Sequence, residues 1–201
     1  MVLPVSYYLN DDVVAVARSL LGKVIVTSFD SKITSAMITE TEAYAGAADK
    51  ASHAFGNRRT ARTEVMFAEG GVGYVYLCYG IHHLFNVVTN VAGIPHAVLI
   101  RAGEPLEGLD QMLLRRKKPS LTPALTSGPG TLSAALGIHT RHSGVALNGD
   151  EISIHDMGTN IAPSQIIATT RVGVAYAGAD ALLPYRFYIA GNRFVSKAKG
   201  L

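Results

Sequence analysis

The 201-residue sequence predicts an α+β fold: one domain, residues 1–201, built on a mixed, mainly antiparallel β-sheet with a few helices around it. Three observations predict it. β-prone runs broken by turn residues recur along the chain, and only three segments carry a helical pattern. A hydrophobic content of 48% is ample for one core, and the length suits one domain. No repeat or low-complexity tract is present, and neither side of the Pro/Gly/Ser connection "KPSLTPALTSGPG" obviously makes a core of its own.

The elements follow in chain order. Asn10 or Asp11 is placed to cap a helix whose apolar positions Val13, Val16, Ala17, Leu20 and Leu21 keep the helical period, and Gly22 ends it. "KVIVTSF" and "KITSAMITETEAY" read as strands. From Gly46 to about Arg62 the chain is small, polar and basic, a loop with a helical turn at most. "GYVYLCYGIHHLFNVVT" is two β-prone runs broken at Gly80, a hairpin with Tyr79-Gly80-Ile81 near its tip. "AVLIRA" is a strand, and "LEGLDQMLLRRKK" a helix whose basic last turn suits its dipole. "TLSAALGI" is a short helix, and "EISIHDM", "TRVGVAYAG" and "YRFYIAG" are short strands between turns.

Composition narrows the function. No apolar run reaches the ~18 residues of a membrane span, and "MVLPVSYYLN" lacks the basic start and long apolar stretch of a signal peptide, so a soluble intracellular protein is expected. The single cysteine, Cys78, allows no internal disulfide and no cysteine-based zinc site, and reads as a small buried apolar side chain. A net charge of +3 and a pI near 9.0 suggest a polyanionic partner. Basic residues bunch at "NRRTAR" (Arg58, Arg59, Arg62) and "LRRKK" (Arg115, Arg116, Lys117, Lys118); alone, either run also reads as a solvated face.

The stretch "TETEAY" raises a chemical question. In an ideal strand Ile38, Glu40, Glu42 and Tyr44 share one face, which either meets water or lines a pocket where a carboxylate works. Two carboxylates ~6.5 to 7 Å apart also suit a sugar hydrolase. His82 and His83 are adjacent, point to opposite faces and make a poor chelating pair; no HExxH spacing occurs and no metal is expected. "AEGGVG" lacks the Lys-Ser/Thr of a phosphate loop, so no nucleotide cofactor is expected. Tyr74, Tyr76 and Tyr79 crowd the hairpin. Either they are core rings plus one surface tyrosine, or flat rings near a carboxylate form a slot for a nucleobase.

"ITETEAYAGAADKASHAFGNRRTARTEVMF", "YVYLCYGIHHLFNVVT", "AVLIRAGEPLEG", "SGPG", "RVGVAYAG" and "RFYIAGN" occur in the order found in the alkyladenine (3-methyladenine) DNA glycosylases of base-excision repair. The sequence resembles that family from about Tyr8 to Ser196. The resemblance implies a curved sheet with a protruding hairpin that intercalates into DNA. It also implies a monofunctional enzyme that flips a damaged purine from the duplex and hydrolyses its N-glycosidic bond, with no Schiff base and no lyase step. Glu42 matches the carboxylate that activates water. Arg101 matches an arginine that holds the water and a flanking phosphate, and the carbonyl of Val172 matches a third water contact. Tyr44, His53 and Tyr76 match the rings around the flipped base, where cation–π attraction would favour 3-methyladenine and other cationic alkylpurines. Neutral lesions such as hypoxanthine or ethenoadenine would depend on main-chain hydrogen bonds around Ala51 and His53. Asn86 matches a side chain that obstructs the exocyclic amine of guanine. Tyr79 matches the wedge that fills the vacated stack, with Met66, Ile81 and His82 beside it along the minor groove and Arg58 and Arg62 as phosphate contacts. Only the Glu42 position is the base in this family, so Glu40 is expected to be structural.

Thr131 departs from the pattern, because the family commonly has a lysine after "SGPG" and a likely phosphate contact is therefore missing. The partner implied is double-stranded DNA bearing a damaged purine, with no cofactor, no metal and no membrane. A monomer is expected, cytoplasmic and nucleoid-associated, and the absence of a long basic N-terminal extension fits a bacterial-type minimal enzyme. Two rival readings are a DNA-binding module that has lost catalysis, against which the presence of both Glu42 and Arg101 counts, and a carbohydrate hydrolase using Glu40 with Glu42, which the basic surface and the lack of tryptophan disfavour.

Overall fold

The structure is a computed structural model and describes residues 1–198 and Gly200. Eight strands form one sheet: β1 (Val24–Phe29), β2 (Lys32–Tyr44), β3 (Gly73–Cys78), β4 (His82–Thr89), β5 (His96–Glu107), β6 (Ile152–His155), β7 (Ile166–Thr169) and β8 (Arg186–Ile189). The order is β3-β4-β5-β2-β1-β6, with β8 joined to β2 and β7 to β8. Every pairing among the described residues is antiparallel. Four α-helices accompany the sheet: α1 (Val5–Tyr8), α2 (Val13–Ser19), α3 (Leu109–Arg116) and α4 (Pro129–Leu136). None is long and apolar enough to cross a membrane.

The cap of α2 is one residue later than expected. Asp12 Oδ1 accepts the amides of Val14 and Ala15, while Asn10 Oδ1 accepts the amide of Asp12 and so shapes the turn before the cap. "TRVGVAYAG" is not a strand. The strand is β7, just before it, and residues 175–182 wind into 3₁₀ turns interrupted by Gly178 at φ 61°. Short apolar and small residues with two glycines fit either conformation by local pattern, and here the wound form places Ala177 and Ala181 against Ala51 and Val174.

β2 organises the rest. Its first half pairs with β1 and its second half with β8, while β5 follows its other edge throughout. The β2–β5 register shifts on both sides of Glu40. An extra residue in one strand bends it and reverses which face the following side chains use. Ala36 and Ile38 accordingly enter the main apolar core with α2 and α4, and beyond the shift it is Ala43 that does so, while the Thr41 hydroxyl donates to Ala17 of α2. Ile38 therefore does not share a face with Glu42 and Tyr44 as ideal alternation predicts. Two smaller apolar clusters lie elsewhere: Ala54, Met66, Phe67, Tyr74, Val88 and Ala97 in one, Ala51, Val174, Ala177 and Ala181 in the other. They hold the walls of a cavity.

Candidate active site

The cavity encloses about 590 Å³. Glu42, Arg101 and Leu99 line it from β2 and β5, the rings of Tyr44, His53, Tyr74, Tyr76 and Tyr176 from the sides, and Tyr79, His82 and residues 128–131 also border it. Glu42 has no accessible surface, so it lies at the deep end. Its Oε1 accepts the Val172 amide at 2.8 Å and is ion-paired with Arg101 Nη1 at 3.2 Å; its Oε2 accepts the Tyr44 hydroxyl at 2.8 Å. A carboxylate offers about four acceptor sites, so one hydrogen bond on each oxygen, with the ion pair at Oε1, leaves acceptor capacity on Oε2. Burial, then the Glu42 charge, hold the Tyr44 hydroxyl well above its ordinary pKa, so it remains a donor at any working pH.

Glu40 is equally buried and differently occupied. Its Oε1 accepts Arg101 Nε at 2.7 Å, Arg186 Nε at 2.8 Å and the Ser196 hydroxyl at 2.9 Å, and its Oε2 accepts the Ser196 amide at 2.6 Å. Glu40 takes four hydrogen bonds, against two for Glu42, and does not line the cavity. The two carboxylates share Arg101, whose Nη2 also donates to Ser196 Oγ at 3.4 Å. Burial works against the Arg101 charge, but Glu42 and Glu40 outweigh it and hold its pKa above the usual value.

The walls combine neutral groups, a paired ion and one further arginine, Arg62, whose guanidinium lies 4.8 Å from the Tyr76 ring centroid. Arg62 Nη2 donates to His53 Nε2 at 3.3 Å, which assigns the ring proton to Nδ1, 3.0 Å from the Tyr74 hydroxyl. Burial, then Arg62 and Arg58, lower the His53 pKa to about 4, so the imidazole is neutral and adds no positive charge to the cavity. His53 meets Tyr76 edge-on at 4.6 Å. Tyr44 is backed by Arg171, whose guanidinium lies 4.9 Å from the ring centroid and is itself neutralised by Asp49. Both amide hydrogens of Asn86 are spent on the carbonyls of Tyr74 and Leu84, at 3.1 and 3.3 Å, which leaves its Oδ1 as the uncommitted end.

At the end of the β3–β4 pair the Ile81 amide donates to Cys78, and Tyr79 and Gly80 both have positive φ, 50° and 74°. That combination marks a type I′ turn, in which tyrosine is strained and glycine is not. Tyr79 is 90% exposed and Ile81 71% exposed. Arg58 and Arg62 are exposed, and with Lys50 they line a second hollow of about 390 Å³ against His53 and Tyr176. Arg59 is instead committed to Glu64 by two hydrogen bonds.

The structure places the remaining expected residues as follows. Met66 is 2% exposed, clusters with Tyr74 and Val88, and lines the cavity from the 3₁₀ turn Glu64–Phe67. Val172 reaches Glu42 through its amide, a donor role that the sequence did not suggest. The Ala51 amide is already given to Asp49 Oδ1 at 2.9 Å and its carbonyl accepts the Tyr176 hydroxyl at 3.0 Å, so Ala51 has little main chain to offer a ligand. Arg101 spends its donors on Glu40, Glu42 and Ser196 and is only 5% exposed, a poor position for a phosphate. Cys78 is half-buried and borders the cavity instead of packing in a core. Thr131 donates to the Gly128 carbonyl at 2.8 Å in the first turn of α4.

Sequence reasoning missed Tyr176, Arg171, Asp49, Arg186 and Ser196. Tyr176 sat inside the misread "TRVGVAYAG", and the others act through partners 10 to 156 residues away. Among the described residues no group of three or more His, Cys, Asp or Glu is arranged to hold a metal.

A family model described as "Methylpurine-DNA glycosylase" matches residues 7–193. A Chlamydia felis protein named "Putative 3-methyladenine DNA glycosylase" is 44% identical, over 93% of this chain and 95% of its own length. Proteins of the same name from Bacillus cereus and Bacillus thuringiensis are also 44% identical, over 98% of this chain and all of their own length.

Proposed function

Because the chain belongs to the methylpurine-DNA glycosylase family, we propose that it excises an alkylated purine, 3-methyladenine above all, from duplex DNA with a water molecule activated by Glu42. One observation carries the assignment: Glu42 is a buried carboxylate at the deep end of an aromatic cavity, with one hydrogen bond on each oxygen, an ion pair with Arg101 at Oε1, and acceptor capacity left on Oε2. A water bound there shares Oε2 with the Tyr44 hydroxyl. As the C1′–N bond of the flipped nucleotide breaks, its electron pair leaves with the purine and the water oxygen forms the new bond to C1′. The water proton passes to Glu42. The same negative charge favours the oxocarbenium-like sugar in between.

A ring-alkylated purine is cationic and departs as a neutral base, so no general acid is required. A neutral His53 and an Arg171 paired with Asp49 add no net positive charge to the walls, which leaves Arg62, over the Tyr76 ring, as the cation at the cavity's edge and supports a cationic base on the Tyr44 side. The Tyr79 turn supports a wedge that occupies the gap left by the extruded nucleotide. Release of free base from a duplex carrying one alkylated adenine tests the assignment. Glu42→Gln is expected to lower the single-turnover rate ~10² to 10⁴-fold, the usual contribution of a general base, while duplex affinity is kept. Undiminished release by Glu42→Gln would refute it.

A further inference from the structure

Glu40 takes four hydrogen bonds from three residues and holds the one arginine that also touches Glu42. We infer that Glu40, Arg186 and Ser196 are positioning residues that restrain Arg101 so that a single Nη approaches Glu42, at Oε1, and Oε2 stays open for water. The inference rests on Glu42 being the base.

The restraint follows from geometry. A guanidinium facing an unshared carboxylate favours a two-pronged contact that occupies both oxygens. Here Arg101 gives Nε to Glu40 at 2.7 Å and Nη2 to Ser196 Oγ at 3.4 Å, which leaves only Nη1 for Glu42, at 3.2 Å. Arg186 adds a second cation on Glu40, from Nε at 2.8 Å. The two carboxylates and two guanidiniums are thus balanced in a space with almost no solvent. Ser196 reaches Glu40 because the segment after β8 is tied to β5 and β2: Asn192 donates to Glu104 of β5, and the Thr39 hydroxyl of β2 donates to the Phe194 carbonyl. With Glu40 neutral, Arg101 is released toward Glu42, closes on both oxygens and competes with water.

Single-turnover base release, duplex affinity and thermal midpoint, measured together on full-length variants, test this. Glu40→Gln is expected to slow release ~10 to 50-fold with duplex affinity unchanged, and Ser196→Ala ~3-fold in the same direction; Ser196→Ala keeps the main-chain contact and serves if Glu40→Gln does not fold. Arg101→Met with Glu40→Gln is expected to be no slower than Arg101→Met alone, because the Glu40 effect passes through Arg101. A merely structural Glu40 would move the thermal midpoint and leave the release rate of folded protein unchanged. Wild-type rates in both Glu40→Gln and Ser196→Ala, with Glu42→Gln inactive, would overturn the inference, as would additive losses in the double variant. Full release by Glu42→Gln would instead overturn the assignment of the base, and the inference with it.

Discussion

Glu40 and Glu42 stand two residues apart on one strand, both without accessible surface, and the regions around them are opposites. The region behind Glu40 is closed: two arginines and one serine give the carboxylate four hydrogen bonds, three on Oε1 and one on Oε2, and it does not line the cavity. The region in front of Glu42 opens into about 590 Å³ and leaves the carboxylate with two hydrogen bonds and an ion pair, so that Oε2 keeps acceptor capacity. Burial is identical, so burial does not tell a working carboxylate from a supporting one. The count of donors against acceptor capacity does. It also disfavours a sugar-hydrolase reading, which needs both carboxylates at the substrate.

The strongest way to break the comparison is to exchange the rate effects of the two residues. Glu42→Gln should cost at least ten times more in single-turnover release than Glu40→Gln, since one removes the proton acceptor and the other only loosens Arg101. Equal losses would mean that both regions act on the substrate. Stability should rank them the other way. Glu40→Ala leaves two buried guanidiniums without their main partner, and breaking a buried pair costs ~3 to 5 kcal/mol. Glu42→Gln keeps an oxygen for the Val172 amide, and the Tyr44 hydroxyl can turn to accept from the new NH2, so the urea midpoint should change little, as befits a site held for reactivity. A large loss in Glu42→Gln beside a small one in Glu40→Ala would reverse the assignment of closed and open regions.

A smaller effect belongs to the rim. Tyr79→Ala should lower the flipped fraction of a fluorescent base analogue ~10-fold or less, since a wedge compensates only part of an unstacking cost of a few kcal/mol. Tyr79→Gly relieves the strain at φ 50° yet removes the same ring. If the ring is what matters, the two variants should match. A flipping equilibrium unchanged in both would leave the exposed tyrosine without the proposed role.

Where the sequence was legible, local pattern sufficed. β2 runs from Lys32 to Tyr44 as its alternation of β-prone residues suggests, and the turn at Tyr79-Gly80 lies where a glycine breaks two β-prone runs. The glutamate at the cavity and the rings beside it were named only through the family resemblance, since local pattern left a solvated face and core tyrosines open as well. The register shift at Glu40 could not be named, because nothing in "ITETE" marks an extra residue, and that shift alone sends Ile38 to the core and leaves Glu42 to the cavity. Nor could the donors that define each carboxylate: Val172 lies 130 residues from Glu42, and Ser196 lies 156 from Glu40. Basic clusters were legible as charge but not as role. Arg115 bonds the Thr34 hydroxyl and the Ala135 carbonyl, and Arg116 the Leu125 carbonyl, so half of "LRRKK" holds the fold together, while Arg58 and Arg62 of "NRRTAR" stand beside the cavity.

The smallest expected effect concerns acid, and it too separates the two regions. His53, His96, His139, His142 and His155 are all held below the ordinary histidine pKa, chiefly by burial. In the unfolded chain each takes up its proton near pH 6.5, whereas His53 in the fold does so only at about 4. Between those values the unfolded state binds more protons, so stability is complete above about pH 6.5 and falls as the pH drops toward 4. Urea midpoints measured across that window should decline. His53→Gln, on the cavity wall, should flatten the decline more than His155→Gln, on β6 away from the cavity. The closed region around Glu40 contains no histidine, so Ser196→Ala should shift the whole curve without changing its slope. A slope carried equally by every histidine would show that the open wall is no more sensitive to protonation than the rest of the fold.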